Sequence, residues 1–182
     1  MKRLVLIVAL LFLPVMAWAQ DDILASLRSL DEASQALEAS REILERNDLS
    51  NIPTGRPCEG KLVSPFGYRA DPFTGRIKHH NGVDITNKTG TPIMATGGGT
   101  VVFAGRGWHR GYTGYGRVVV IAHSDRVVTL YGHLSEIRVT VGDHVSRGSV
   151  IGLMGSTGRS TGSHLHYEIR VSGRPVDPEE WM

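Results

Sequence analysis

The sequence predicts a mainly β domain built of antiparallel sheet, set behind a short helical arm, and three observations carry that prediction. Short runs rich in Val, Ile, Thr and Tyr recur at residues 100–104, 117–123, 127–131, 149–154 and 166–171, with glycine-bearing turn signals between them. No long helical periodicity interrupts these runs. Residues 21–47, by contrast, contain neither Gly nor Pro and repeat apolar side chains at Ile23, Leu30, Leu37 and Leu44, with Leu27 widening the stripe, which is the pattern of an amphipathic helix.

In chain order, Lys2 and Arg3 precede the apolar run from Leu4 to Val15 and the small-x-small triplet Ala17-Trp18-Ala19. This is the layout of a secretory signal peptide, expected to be cleaved after Ala19. The apolar run falls short of the roughly 20 residues that span a bilayer, so stable membrane insertion is not expected. The formal charge of +2 belongs to Lys2 and Arg3 of this leader, and without a basic excess a nucleic-acid partner is excluded as a class.

The arm and linker at residues 20–56 carry four basic and eight acidic side chains, and residues 57–182 carry fourteen basic and ten acidic. Ser34 and Arg41 fill the second seam position of the helix. That spoils a strict coiled coil and leaves two readings open, a helix lying on its own domain and a weak self-association or regulatory seam. Pro53, Gly55, Pro57 and Gly60 mark a linker into a domain expected from about Pro57. Cys58 is the single cysteine, so an internal disulfide and a cysteine-based zinc finger are both excluded.

The chemistry concentrates late in the chain. In Ser163-His164-Leu165-His166-Tyr167-Glu168 the two-residue period of a strand puts His164 and His166 on one face and Leu165 and Tyr167 on the other. Upstream lie His80-Asn81-Gly82-Val83-Asp84 and Tyr131-Gly132-His133-Leu134. Four histidines and one aspartate can thus converge on one metal, in the manner of a catalytic zinc site with about three protein ligands and one open position. On spacing alone His79 could replace His80. His109, His123 and His144 are expected to be structural. The loop from Gly105 to Tyr112 mixes aromatics with Arg106 and Arg110, a composition that suits glycan stacking and acidic peptides as well as a solvated loop. The segments around Gly90-Thr91-Pro92-Ile93 and Gly142-Asp143-His144-Val145 look alike and hint at a duplication.

With Phe66-Gly67-Tyr68-Arg69 and Gly158-Arg159-Ser160-Thr161-Gly162 added to these motifs, the chain resembles the LytM/lysostaphin family of zinc peptidoglycan endopeptidases over essentially the whole domain. The resemblance implies an antiparallel β domain of the duplicated hybrid motif type with an open substrate groove and one zinc ion at its floor. It also implies zinc ligands His80, Asp84 and His166, and unligated catalytic histidines His133 and His164. The expected substrate is the stem peptides and cross-links of peptidoglycan in a periplasm, with D,D-cleavage of D-Ala–diaminopimelate cross-links favoured. The alternative is a non-catalytic peptidoglycan-binding regulator of another hydrolase. Tyr131 is a candidate oxyanion donor, and Arg69, Arg106, Arg110 and Arg159 are candidate partners for substrate carboxylates.

Overall fold

The computed structural model describes residues 23–42, 49–107 and 111–182. The leader, His109 and Arg110 lie outside the described residues. The chain divides into two units, Met1–Asn47 and Asp48–Met182. In the first, residues 23–42 form a helix (α1). Ile23, Leu27, Leu30 and Leu37 are exposed along it, and Gln35 Nε2 donates to Asp31 one turn earlier at 3.0 Å. Among the described residues no helix is long and apolar enough to cross a membrane.

In the second unit the described residues form β1 (Lys61–Ser64), β2 (Gly67–Ala70), β3 (Ile77–His80), β4 (Val83–Thr86), β5 (Pro92–Met94), β6 (Gly99–Arg106) and β7 (Arg117–Ala122). There follow β8 (Val127–Leu134), β9 (Glu136–Ile137), β10 (His144–Val145), β11 (Val150–Leu153), β12 (His164–Val171) and β13 (Arg174–Val176), closed by a 3₁₀ turn at Pro178–Trp181. The main sheet runs β1-β4-β12-β8-β7-β6-β10 with β13 also on β12; β5-β11-β9 form a second sheet, and β2-β3 a hairpin. Every pairing is antiparallel. The core lies between the two sheets: Val83, Ile85, Val119, Ile121, Tyr131, Leu165, Tyr167 and Ile169 meet Ile93, Ile151 and Met154. Each buried aliphatic side chain contributes roughly 1.5–3 kcal/mol.

The two look-alike segments are each other's partners. β5 pairs with β11 while β6 pairs with β10, so the first half of each segment binds the second half of the other. The breaker-rich stretch before Pro57 is a correction to the expected boundary: it is laid onto the β domain as part of it. Gly98 N donates to Ser50 O at 2.9 Å, Thr54 N to Thr96 O at 2.9 Å and Gly55 N to Trp181 O at 3.0 Å. Arg147 Nη2 donates to Leu49 O at 3.2 Å and Ile52 O at 2.9 Å. After the helical residues 49–51, prolines and glycines serve a chain that follows a surface without helix or strand, and Pro53 and Pro57 are buried. Cys58 is buried and free, and burial pushes its thiol up to about 12.

Candidate active site

The site grows from the register of β4 and β12. Asp84 is the direct cross-strand partner of His166, so the two side chains stand side by side on one face, and His166 Nδ1 lies 2.9 Å from Asp84 Oδ1. His80 arrives from the end of β3 through Asn81 and Gly82. A Cβ on Gly82 would stand 2.1 Å from Tyr167 O, so only glycine lets this corner press against β12. His80 Nε2 then reaches within 3.2 Å of Asp84 Oδ1 and 3.0 Å of His166 Nδ1. His79 turns away from this cluster; its Nδ1 meets Asn81 Oδ1 at 3.1 Å and its ring sits edge-on to Phe66 and Tyr68.

His133 reaches the site by a break in the strand. Regular alternation along β8 would put it on the face of Tyr131, in the core. Between Tyr131 and Leu134, however, β8 carries one residue more than β7, whose Val119 and Arg117 pair with them. His133 takes the left-handed backbone conformation at φ 62°, which for a non-glycine residue costs on the order of 1 kcal/mol. This bulge returns Leu134 to the core and leaves His133 with its ring 4.6 Å from that of His164, centroid to centroid. Tyr131 is the corresponding correction. It is fully buried, and its hydroxyl is bonded to Thr96 and Thr129, at 3.0 Å each, on the core side of the sheet. It packs there against Tyr167 and cannot serve an oxyanion.

Each of the four site imidazoles has one nitrogen tied to an oxygen that can only accept. His80 Nδ1 donates to Pro65 O at 2.8 Å, His133 Nδ1 to Thr157 O at 2.7 Å and His164 Nδ1 to Gly162 O at 2.8 Å. His166 Nε2 donates to the Glu168 carboxylate at 3.0 Å. The tautomers follow from these acceptors: His80 Nε2 and His166 Nδ1 carry bare lone pairs, and with Asp84 Oδ1 they form three electron-pair donors that face one another and lie within 4.8 Å. A metal cation satisfies all three together, and donors oriented by a second layer of acceptors are the usual construction of such a site. His164 stands next to the trio, its Nε2 3.8 Å from Asp84 Oδ1.

The local charges have the same sense. Burial opposes ionisation of Asp84, but bonds from His166 and His80 outweigh it and hold the carboxyl well below the usual range. At His166 burial disfavours the cation, yet Asp84 and Glu168 together raise it to about 9. The pocket therefore demands positive charge at the donor cluster, which a proton or a divalent cation can supply. Burial, opposed by the bond to Thr157 O and reinforced by the imidazoles of His164 and His166, pushes His133 down to about 4, so it is neutral at pH 7.

Two participants escaped the sequence reading. Glu168 is fully buried; beyond His166 it takes Tyr115 Oη at 2.5 Å and Arg170 Nε at 2.7 Å. The alternation that paired His164 with His166 also points to Glu168, one step further along the same face. Tyr115 comes from a loop with no such signal; it passes over Gly132, where a Cβ would stand 3.3 Å from its ring. Arg69 faces the cleft and donates to Asp84 Oδ2 at 3.3 Å, so it braces the metal-cluster carboxylate. The cleft, of about 550 Å³, is walled by Arg69, Asp71, His80, Tyr115, Arg159 and His164 among others, and Arg106 is outside it. His123 and His144 are structural, bonded to Thr129 and Thr100.

Several of the known proteins that this chain resembles are peptidases. The chain is similar to the DD-carboxypeptidase/endopeptidase Mpg of Neisseria meningitidis, 48% identical over 118 residues, which are 65% of this chain and 26% of that protein. It resembles a zinc-containing peptidase from Vibrio cholerae with a TM-score of 0.58 and 39% identity, covering 70% of this chain and 38% of that one. The catalytic domain of lysostaphin from Staphylococcus simulans matches with a TM-score of 0.59 and 34% identity, over 66% of this chain and 90% of that one. The chain spans about a quarter of the length of the curated relatives it matches. The model of peptidase family M23 matches residues 78–178, the stretch from β3 to the final turn that holds all five site residues, and the chain belongs to that family.

Proposed function

We propose that this chain is an exported, zinc-dependent endopeptidase that hydrolyses peptide bonds in peptidoglycan, acting on D-Ala–diaminopimelate cross-links in a periplasm. The observation that carries the reading is the set of four imidazoles whose outer nitrogens are tied to acceptors and whose inner nitrogens are bare. The similarity to a DD-carboxypeptidase/endopeptidase of Neisseria supports the choice of a D,D bond. His80, Asp84 and His166 are the residues that would hold zinc. When bound there, zinc would lower the pKa of a water from about 15.7 toward 7 and polarise the scissile carbonyl.

The remaining steps fall to the chain's own side chains. His164 Nε2 accepts the proton from the attacking water and returns it to the departing amine as the C–N bond breaks. His133, neutral and with a bare Nε2, accepts a hydrogen bond from that water and orients it. It offers no proton to an oxyanion. Arg69 and Glu168 hold Asp84 and His166 in place. The arm at residues 20–56, which carries α1, is an accessory for self-association or for a regulatory protein.

Incubating the mature, zinc-loaded protein with purified sacculi, with and without chelator, and identifying released fragments by mass spectrometry tests the proposal. Chelator-sensitive release of monomers from cross-linked dimers is expected. Binding without release would leave a non-catalytic wall-binding protein, and cleavage of pentaglycine with intact dimers would overturn the bond choice.

A further inference from the structure

Arg159 sits in a place that the reaction steps do not use. Its guanidinium Nη2 lies 2.6 and 2.8 Å from the two oxygens of Asp71, and its Cζ lies 4.5 Å above the centre of the Phe73 ring. The two residues come from opposite sides of β12. Asp71 is at the tip of the β2–β3 hairpin, which follows the edge strand β1. Arg159 is in the loop that enters β12, and that loop is seated on the loop before β7: Arg159 N donates to Gly114 O at 2.8 Å. Gly158, at φ +75°, presses so close that a Cβ would stand 2.3 Å from Gly116 N. Both residues wall the cleft that holds the donor cluster. The ion pair is therefore a tie between two walls of the cleft, rigid at both ends.

The tie is built to be exchanged. The Asp71 carboxylate already accepts from Phe73 N at 3.0 Å, Thr74 N at 3.0 Å and Thr74 Oγ1 at 3.1 Å, so losing Arg159 does not strand a buried charge. The Arg159 side chain is 42% exposed, where an ion pair contributes little to stability, and its stack on Phe73 keeps the guanidinium in place when the pair opens. Among the described residues, the other candidate arginines are engaged or displaced: Arg69 is on Asp84 and Arg106 is in a separate recess. A planar guanidinium held beside a peptide groove is suited to a carboxylate.

We propose that Arg159 is a specificity-determining residue that reads a free carboxylate on the peptide substrate, and that Asp71 occupies that carboxylate's place until substrate arrives. The proposal rests on the peptidase reading for its substrate class. Its test compares cross-linked muropeptide dimers bearing free diaminopimelate carboxylates with the same dimers amidated. The wild-type zinc-loaded chain is expected to prefer the acidic dimer about tenfold in kcat/KM, the worth of one charge-assisted hydrogen bond. Arg159→Gln should bring that ratio near one through KM, with zinc content unchanged. Asp71→Asn, which removes the competitor, should lower KM for the acidic dimer.

An equal loss on both substrates in Arg159→Gln, or a raised KM in Asp71→Asn, would overturn the exchange. Arg159→Lys keeps the charge without the fork and serves if Arg159→Gln does not fold; it should lose more than half of the preference, and full retention counts against the proposal. Calorimetric binding of both dimers separates the two levels. If wild type cleaves neither dimer but binds the acidic one in an Arg159-dependent way, the carboxylate site stands and the peptidase reading falls. Equal binding of the two dimers removes the site.

Discussion

The two faces of β12 differ in what they do with polar atoms. On one face Leu165, Tyr167 and Ile169 join the core, and the hydroxyls there close on one another: Thr96 Oγ1 meets Tyr167 Oη at 2.8 Å and Tyr131 Oη at 3.0 Å. On the other face Glu168 is saturated by His166, Tyr115 and Arg170, but half-buried His164 and buried His166 each spend one nitrogen on an acceptor and keep one bare. A core saturates its polar groups because an unpaired buried one costs about 1–3 kcal/mol. A reactive site holds some groups open by fixing their neighbours. One strand of eight residues does both, so stability and chemistry should separate residue by residue along it.

The largest expected effect lies on the open face. Asp84→Ala and His166→Ala should each empty the metal site and abolish hydrolysis. His164→Ala should keep the metal and lower kcat by about 10²–10⁴. Elemental analysis of the purified variants decides, and a metal-free His164→Ala would place that residue among the ligands. The closed face should behave in the opposite sense: Leu165→Ala should cost about 2–5 kcal/mol in denaturant unfolding while binding metal with unchanged stoichiometry. A drop in stoichiometry would show that the faces are coupled.

Truncation gives a smaller contrast. Removing residues 1–47 should leave the melt of the β domain nearly unchanged. Removing residues 1–56 also discards the bonds to Thr96, Trp181 and Arg147 and should cost roughly 3–5 kcal/mol. Equal melts for the two truncations would show that residues 49–56 add nothing.

The smallest effect is in pH. Burial lowers the pKa of His123, against its bond to Gly98 O and with the help of Arg147. Folding therefore favours the neutral ring; its contribution is full above the unfolded value of about 6.5 and is lost as pH falls through the folded pKa. Denaturant titrations from pH 7 to 5 should show a shallower pH slope for His123→Gln than for wild type, and identical slopes would remove His123 from the account.

Much of this was legible in the sequence. Period-two spacing placed His164 and His166 together and Leu165 and Tyr167 opposite them, because β12 is a regular strand paired on both sides. The same rule fails at β8, where it cannot tell that Tyr131 stays in the core while His133 leaves it. The bulge depends on how Tyr115 and Thr157 hold the backbone and ring of His133, and those loops are far away in sequence. The domain boundary was misplaced for a related reason. Pro53, Gly55 and Pro57 exclude regular structure, but they do not distinguish a free linker from a chain pinned by an arginine almost a hundred residues later.

The position of β12 in the sheet also sets when the site can exist. The donors from β3 and β4 stand 86 and 82 residues before the histidine they meet, and β12 inserts between β4 and β8. Closing loops of this length is a late and slow event in folding. A chain that has formed β3 and β4 but not yet received β12 therefore carries only His80 and Asp84, and the donor cluster does not exist until β12 is in place between its neighbours.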